Sequence, residues 1–241
     1  MSYFQFHLFF NLPPLLVLLF LQRHHLPTTP ELLCLGVIFV AVGLFTSPWD
    51  NHAVKKGIWG FPRDQHSFKI AFLPIEEYLF FFIQTFLVIL SVRLAFLELP
   101  SITHHLPTVL TPFKGILALI LFGGWIAIGK QWKKRSSSSR WNYTFHLFYW
   151  FAPMILFQWI IGAEIFSPLL GFLLLLSLGW GLYYTGCDLI ATSQGIWHFD
   201  ENQIQGWRIR GILPWEESAF FWMTSLLVAQ SYILLLPVAF R

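Results

Sequence analysis

Apolar residues run in long unbroken stretches along this chain, and polar residues collect between them. Seven such runs stand out, roughly at 4–21, 32–47, 73–96, 115–129, 144–161, 168–186 and 216–240. Most approach the ~20 residues that an α-helix needs to cross a bilayer. The second and fourth are short, and Lys114 and Lys130 could extend the fourth by snorkelling. No segment alternates apolar and polar residues as the strands of a membrane barrel do. The pattern predicts an all-α polytopic membrane protein with about 7 transmembrane helices.

The pattern also repeats. LPIEEYLFFFIQTFLV at 73–88 returns as LPWEESAFFWMTSLLV at 213–228, identical at eight of sixteen positions for an offset of 140. FHLF at 6–9 returns at 145–148, Pro14 as Pro153, and GIWGF at 57–61 as GIWHF at 195–199. Asp50 stands seven residues before Gly57, and Asp188 seven before Gly195. The offset drifts from 139 to 138 to 140, so the loops differ by a residue or two. Three spans therefore recur as three spans, with one unmatched span between them. An odd linker span restores the orientation, which makes the two halves parallel repeats. The expected division is a first repeat at 1–100, a linker helix and basic hinge at 101–142, and a second repeat at 143–241. The hinge carries KKRSSSSR at 133–140, basic and flexible.

Composition agrees with this plan. The chain of 241 residues is 56% hydrophobic and 11% charged, with a mean hydropathy of +0.62; soluble domains carry about 25% charged residues. Charge then sets the orientation. Lys55, Lys56, Arg63, Lys69, Lys130, Lys133, Lys134, Arg135, Arg140, Arg208 and Arg210 share a side with the N-terminus. Arg23, Arg93, Lys114 and Arg241 lie on the other, so the 15 basic residues divide eleven to four. The positive-inside rule places the N-terminus in the cytoplasm and the C-terminus on the opposite side of the cell membrane. The first span lacks a basic leader and a small-residue cleavage site, and reads as retained. A net charge of +3 carried by loops favours membrane orientation over nucleic-acid binding. Cys34 and Cys187 form neither a disulfide framework nor a metal site. No dinucleotide fingerprint, P-loop, zinc motif or paired Asp-rich motif is present, so neither a cofactor nor a metal is expected.

What chemistry remains lies in the carboxylates. Glu76-Glu77 and Glu216-Glu217 each follow a proline and open an apolar helix. Proline and acids in a first turn are ordinary helix-start chemistry. Ionisable residues inside a membrane are nevertheless functional candidates by default, and the duplication makes these a pseudo-symmetric pair. Facing the headgroups, they are caps. Facing the bundle interior, burial favours a neutral carboxyl that can act as an acid. The residue pattern leaves both readings open. Asp50 and Asp188 end the second and sixth spans, where the helix dipole disfavours a carboxylate. They read as general bases or as partners of Lys55 or a loop arginine. Phe80, Phe81, Phe82, Phe220, Phe221 and Trp222 follow the glutamates by about one turn. Aromatic faces stabilise cations, although any single ring packs as readily as it binds. Trp59 and Trp197 read most simply as interfacial anchors of the two loops. His7 and His146 are expected to be hydrogen-bonded within the bundle. Glu98, Glu164, Asp200 and Glu201 read as solvated loop acids.

The duplicated Pro-x-Glu-Glu motif, with its Asp-x6-Gly-Ile-Trp-x-Phe loops, resembles the heterodimer-type carotenoid cyclases. These are small membrane lycopene cyclases that occur as two subunits or one fused chain, and this chain is similar to the fused form. A departure is Ser47-Pro48-Trp49 before Asp50 against Thr185-Gly186-Cys187 before Asp188. The resemblance implies an apolar carotenoid substrate, lycopene, taken from the lipid. It implies cyclisation of linear ψ end groups to β-ionone rings without net redox change. An acid protonates C2, the C5–C6 double bond attacks the cation at C1, and a base removes the proton from C6. Glu76 and Glu216 are expected nearest this proton traffic, with Glu77 and Glu217 next and Asp50 and Asp188 as further candidates. Phe80, Phe81, Phe220, Phe221, Trp59 and Trp197 are the expected substrate contacts. The alternatives are cyclisation of other carotenoid ends, such as those of fifty-carbon skeletons, and a sugar transporter of the SWEET kind with a three-plus-one-plus-three plan. The transporter needs a polar path that these span centres lack. A retinal-binding protein needs a lysine that the last span lacks.

Overall fold

The computed structural model describes residues 1–62, 66–99, 110–132 and 139–236. Among these, seven helices are long and apolar enough to cross a membrane. They are α1 (Tyr3–Leu21), α2 (Thr29–Lys55), α3 (Ile75–Glu98), α4 (Pro112–Trp132), α5 (Asn142–Phe166), α6 (Leu170–Ser193) and α7 (Trp215–Leu235). Each of the seven apolar runs carries one of them, and the architecture is that of an all-α integral membrane protein.

Several boundaries differ from the sequence reading, for local reasons. α2 starts early because Thr28 and Glu31 form a capping box, the Thr28 hydroxyl accepting from the Glu31 N–H. It also ends late, at Lys55, because its last turns bury Trp49, Asp50 and Ala53 against the bundle. Asp50 and Asp188 therefore stand inside α2 and α6 instead of ending them, and Cys187 likewise lies within a helix. Leu73 and Pro74, expected in a helix, form a short strand before it. Glu164 is a residue of α5 and pairs at 2.7 Å with Lys114, holding α4 against α5. Residues 237–240 of the last apolar run and 133–138 of the basic hinge lie outside the described residues.

The packing is centred on α3 and α7. Half of the apolar window of α3 and 61% of that of α7 are buried, against none for α4. The two central helices meet at Gln84 and Thr224, where the amide donates to the hydroxyl at 3.0 Å. These positions are 140 apart, the repeat offset (224 − 84). Around them the same contact is made twice. Gly43 of α2 faces the Phe82 ring of α3, and Gly181 of α6 faces the backbone of Trp222 in α7.

The loops after α2 and α6 end both helices in the same way. Gly57 and Gly195 adopt φ of 69° and 70°. The next amides, of Ile58 and Ile196, bond back to the carbonyls of Ala53 and Ala191. This is the Schellman arrangement, and the left-handed position explains the glycine. The chain then enters β1 (Trp59–Gly60) and β4 (His198–Phe199), which pair antiparallel, Trp59 opposite Phe199. Each loop closes with a hairpin, β2 (Lys69–Ile70) on β3 (Leu73–Pro74) and β5 (Arg208–Ile209) on β6 (Leu213–Pro214). The second hairpin turn holds one residue more, which is where the offset moves from 139 to 140.

Candidate functional site

The ends of α2, α3, α6 and α7 converge beneath the paired β1 and β4. Between them is a cavity of about 50 Å³. Four carboxyls line it: Asp50 from α2, Glu77 from α3, Asp188 from α6 and Glu217 from α7. Among the described residues, none that lines it is a lysine or an arginine.

Three of the four carboxyls are aimed by neutral donors. The Tyr3 hydroxyl donates to Glu77 Oε2 at 2.7 Å, and the Tyr143 hydroxyl donates to Glu217 Oε1. Asp188 Oδ1 accepts from the Trp197 indole at 2.7 Å and from the Thr192 hydroxyl at 3.1 Å. Asp50 Oδ1 and Asp188 Oδ2 are buried without a partner among the described residues. The set is therefore held in place and still has acceptor capacity facing the cavity.

The aromatic walls cross between the two halves of the chain. The Trp197 ring packs edge-on to Tyr3 with centroids 5.2 Å apart, and Trp59 packs on Tyr143 at 5.0 Å. Phe80 and Phe221 stand 6.1 Å apart, and Phe220 stacks on Trp49 at 5.1 Å. Trp59 is buried in this wall and Trp197 half-buried, and both rings pack on a tyrosine of the other half. Ring faces and edges thus surround a pocket of acids, an environment that stabilises a cation once one forms.

The expected site residues divide. Asp50, Asp188, Glu77, Glu217, Phe80, Phe220, Phe221, Trp59 and Trp197 line the cavity; Glu76, Glu216 and Phe81 do not. Glu76 turns to the loop before its own helix, where Oε1 accepts from the Ser67 N–H at 2.8 Å. Glu216 Oε1 likewise accepts from the Thr144 hydroxyl at 3.0 Å and the Gln205 N–H at 3.2 Å. Phe81 lines a second, larger cavity. The two histidines are bonded within the bundle, His7 donating to the Glu76 carbonyl at 2.9 Å and His146 to that of Trp49 at 3.0 Å. His7 opens a π-helical turn, His7–Asn11, a feature often found at functional sites. There Asn11 bonds His7 and accepts from Tyr184.

Sequence reasoning missed Tyr3 and Tyr143. They are 140 apart, the offset of Glu77 and Glu217, but one residue out of the 139 register of the adjacent FHLF match, so the repeat did not align them. It also missed Phe61 and Phe199, the last residues of the two loop motifs, which line the cavity as well.

Comparison with known proteins adds an independent line. No family model and no solved structure matches the chain. The chain is 29% identical over 199 residues to a protein of Halobacterium salinarum named lycopene beta-cyclase, covering 83% of this chain and 80% of that one. It is 27% identical over 264 aligned positions to a bifunctional lycopene cyclase/phytoene synthase of Phaffia rhodozyma, covering 95% of this chain and 36% of that protein. A protein of the same name from Gibberella fujikuroi is 30% identical over 233 residues, covering 94% and 39%. The chain thus spans little more than a third of the fungal proteins and most of the archaeal one. By sequence relationship it is related to the lycopene cyclases across most of its length, the family to which its repeated motifs point.

Proposed function

We propose that the chain is a lycopene β-cyclase working without a cofactor, and that the cavity between the two acid-bearing helices is its active site. The observation that carries this reading is the composite acid cluster. Four carboxyls, two from each half of the chain, surround one aromatic cavity in a relative of named lycopene cyclases. The substrate is an apolar carotenoid drawn from the bilayer.

The reaction needs one proton in and one proton out. A carboxyl of the set protonates C2 of the linear ψ end group, leaving a tertiary cation at C1. The electrons of the C5–C6 double bond form the C1–C6 bond and move the cation to C5. A carboxylate of the set takes the proton from C6, and the C5–C6 double bond closes the β ring. Electrons and protons balance, so no redox partner is involved. The donors on Glu77, Glu217 and Asp188 hold the carboxyls towards the cavity. Phe80, Phe220, Phe221, Trp59 and Trp197 shield the cation from water and stabilise it through their ring faces. Lycopene yields γ-carotene after one such event and β-carotene after two.

The same reading takes 1–100 and 143–241 as parallel three-helix repeats around linker α4. It places the acid cavity at the cytoplasmic end of the spans, beside the lysine- and arginine-bearing loops. The test is expression in a lycopene-producing host followed by pigment chromatography. Monocyclic and dicyclic products are expected. Well-expressed, membrane-inserted protein that leaves lycopene unchanged overturns the reading, and a product with a different ring assigns another carotenoid end group.

A further inference from the structure

Beside the acid cavity is a second cavity of about 350 Å³, and Phe220 lines both. It is a groove and not a sphere. On α7 its lining descends one helix face, from Phe220 through Thr224, Leu227 and Ser231 to Leu235. Fifteen residues of helix rise span about 22 Å, most of the ~30 Å hydrocarbon core of a bilayer. α2 contributes a parallel stripe from Ile38 to Thr46, and α5 one from Phe151 to Ile161. A long, narrow, apolar channel that ends against an acid cluster has the shape of an extended chain with one reactive end.

The repeat supplies a comparison within the molecule. The counterpart of this groove lies against α6, α1 and α3, and a tryptophan is bonded across it. The residue matched to Val42 at an offset of 138 is Trp180, whose indole donates at 3.1 Å to Ser91, the residue matched to Ser231. The residue matched to Ile161 at an offset of 139 is Gln22. Gln22 accepts from Arg93 at 2.8 Å, and Arg93 pairs with Glu31 at 2.7 Å. One half thus carries an open apolar slot where the other carries a tryptophan plug and a closed polar cluster.

We propose that the groove between α2, α5 and α7 holds the polyene of one linear carotenoid with its acyclic end against the acid cavity, and that Trp180 makes the site one-sided. The proposal rests on the cyclase reading for the identity of the chain bound. At about 50 Å³ the acid cavity has room for water and not for a ring. Entry of the end group therefore moves Phe220, which stands between the two spaces and packs on Trp49 and Phe151. A single slot also means that the two ends of one molecule are cyclised in separate binding events.

The experiment fills the slot in steps in the full-length protein. Val42→Leu, Val42→Phe, Val42→Trp and Leu227→Trp are expressed in a lycopene-producing host. Carotenoid that co-purifies with the detergent-solubilised protein is measured apart from cyclised pigment. Wild type should retain about one carotenoid per chain. Bound carotenoid and product should fall together as residue 42 grows, by at least tenfold for Val42→Trp. Equal binding and turnover across the series overturns the groove and leaves the cyclase reading standing. Wild type that binds one carotenoid per chain and cyclises none keeps the groove and defeats the cyclase reading. If Val42→Trp does not purify as a single species, the leucine and phenylalanine steps and Leu227→Trp decide. Phospholipid that stays bound in place of added lycopene assigns the groove to a lipid chain and also overturns the proposal.

Discussion

At the residue scale the question is which member of each adjacent acid pair faces inward. Successive residues on a helix point about 100° apart, so Glu76 and Glu77 diverge, as do Glu216 and Glu217. Glu77 and Glu217 line the cavity, while Glu76 bonds to the loop before its helix and Glu216 to the loop before its own and to Thr144 of α5. Glu77→Gln and Glu217→Gln should therefore each lower cyclisation by at least ~10², the usual scale of a lost acid–base group. Glu76→Gln and Glu216→Gln keep an amide oxygen that still accepts from Ser67 or Gln205. They should lose less than about tenfold, with about 1–2 kcal/mol of stability at stake. Product per amount of membrane-inserted protein separates the two cases, and the reverse ordering would move the site to the loop-facing glutamates. Tyr3→Phe and Tyr143→Phe each remove one hydrogen bond to a cavity carboxyl. Such bonds contribute about 1.5–3 kcal/mol, so each variant should lose at least about tenfold in turnover while remaining folded. The acid pairs were legible as pairs because two carboxylates in an apolar run are conspicuous. Their facing was not, because Ser67, Thr144 and Gln205 become neighbours only once the loops fold back. Tyr3 and Tyr143 stayed hidden for the opposite reason: aromatic residues are too common here for two of them to stand out.

At the element scale the helices are set by close contacts that hydropathy cannot register. The run at 32–47 ended where polar residues begin, yet α2 continues to Lys55 because its final turns pack inward. A polar residue that faces the bundle breaks an apolar run without breaking a helix. The glycine contacts make a sharper case. A Cβ on Gly181 would lie 3.3 Å from the Cα of Trp222, backbone that cannot turn aside. A Cβ on Gly43 would lie 3.7 Å from the Phe82 ring, in ordinary contact. Gly181→Leu should press α6 off α7 and part Asp188 from Glu217. The expected loss is about 1–3 kcal/mol, the scale of overpacking, with a fall in cyclisation. Gly43→Ala should be neutral or up to about 1 kcal/mol stabilising, since alanine favours helix over glycine. Thermal melting of the two purified variants in detergent reads the difference. Equal melting points would mean that the two contacts, matched in sequence, are also matched in tightness.

At the scale of the whole molecule the halves are interleaved at one end. Trp59 packs on Tyr143 and Trp197 on Tyr3, β1 pairs with β4, and the Gln203 amide reaches from the second loop to the carbonyls of Lys56 and Gly57. Asp50 and Glu77 come from one half of the cavity and Asp188 and Glu217 from the other. Neither half alone encloses the space, because each supplies two carboxyls and places its loop tryptophan against the other half's tyrosine. The KKRSSSSR segment at 133–140 joins α4 to α5, and so connects the halves through the linker helix. A chain cut within that segment should therefore lose activity in either fragment expressed alone and regain it when both are co-expressed. Each fragment keeps whole helices long enough to insert, and association in the bilayer then depends on packing between them. Placing Glu77→Gln in the first fragment beside an intact second should abolish the recovered activity by the same ~10² as in the uncut chain. A second fragment that cyclises lycopene by itself would mean a complete site within one half, and the composite cavity would then be the wrong one.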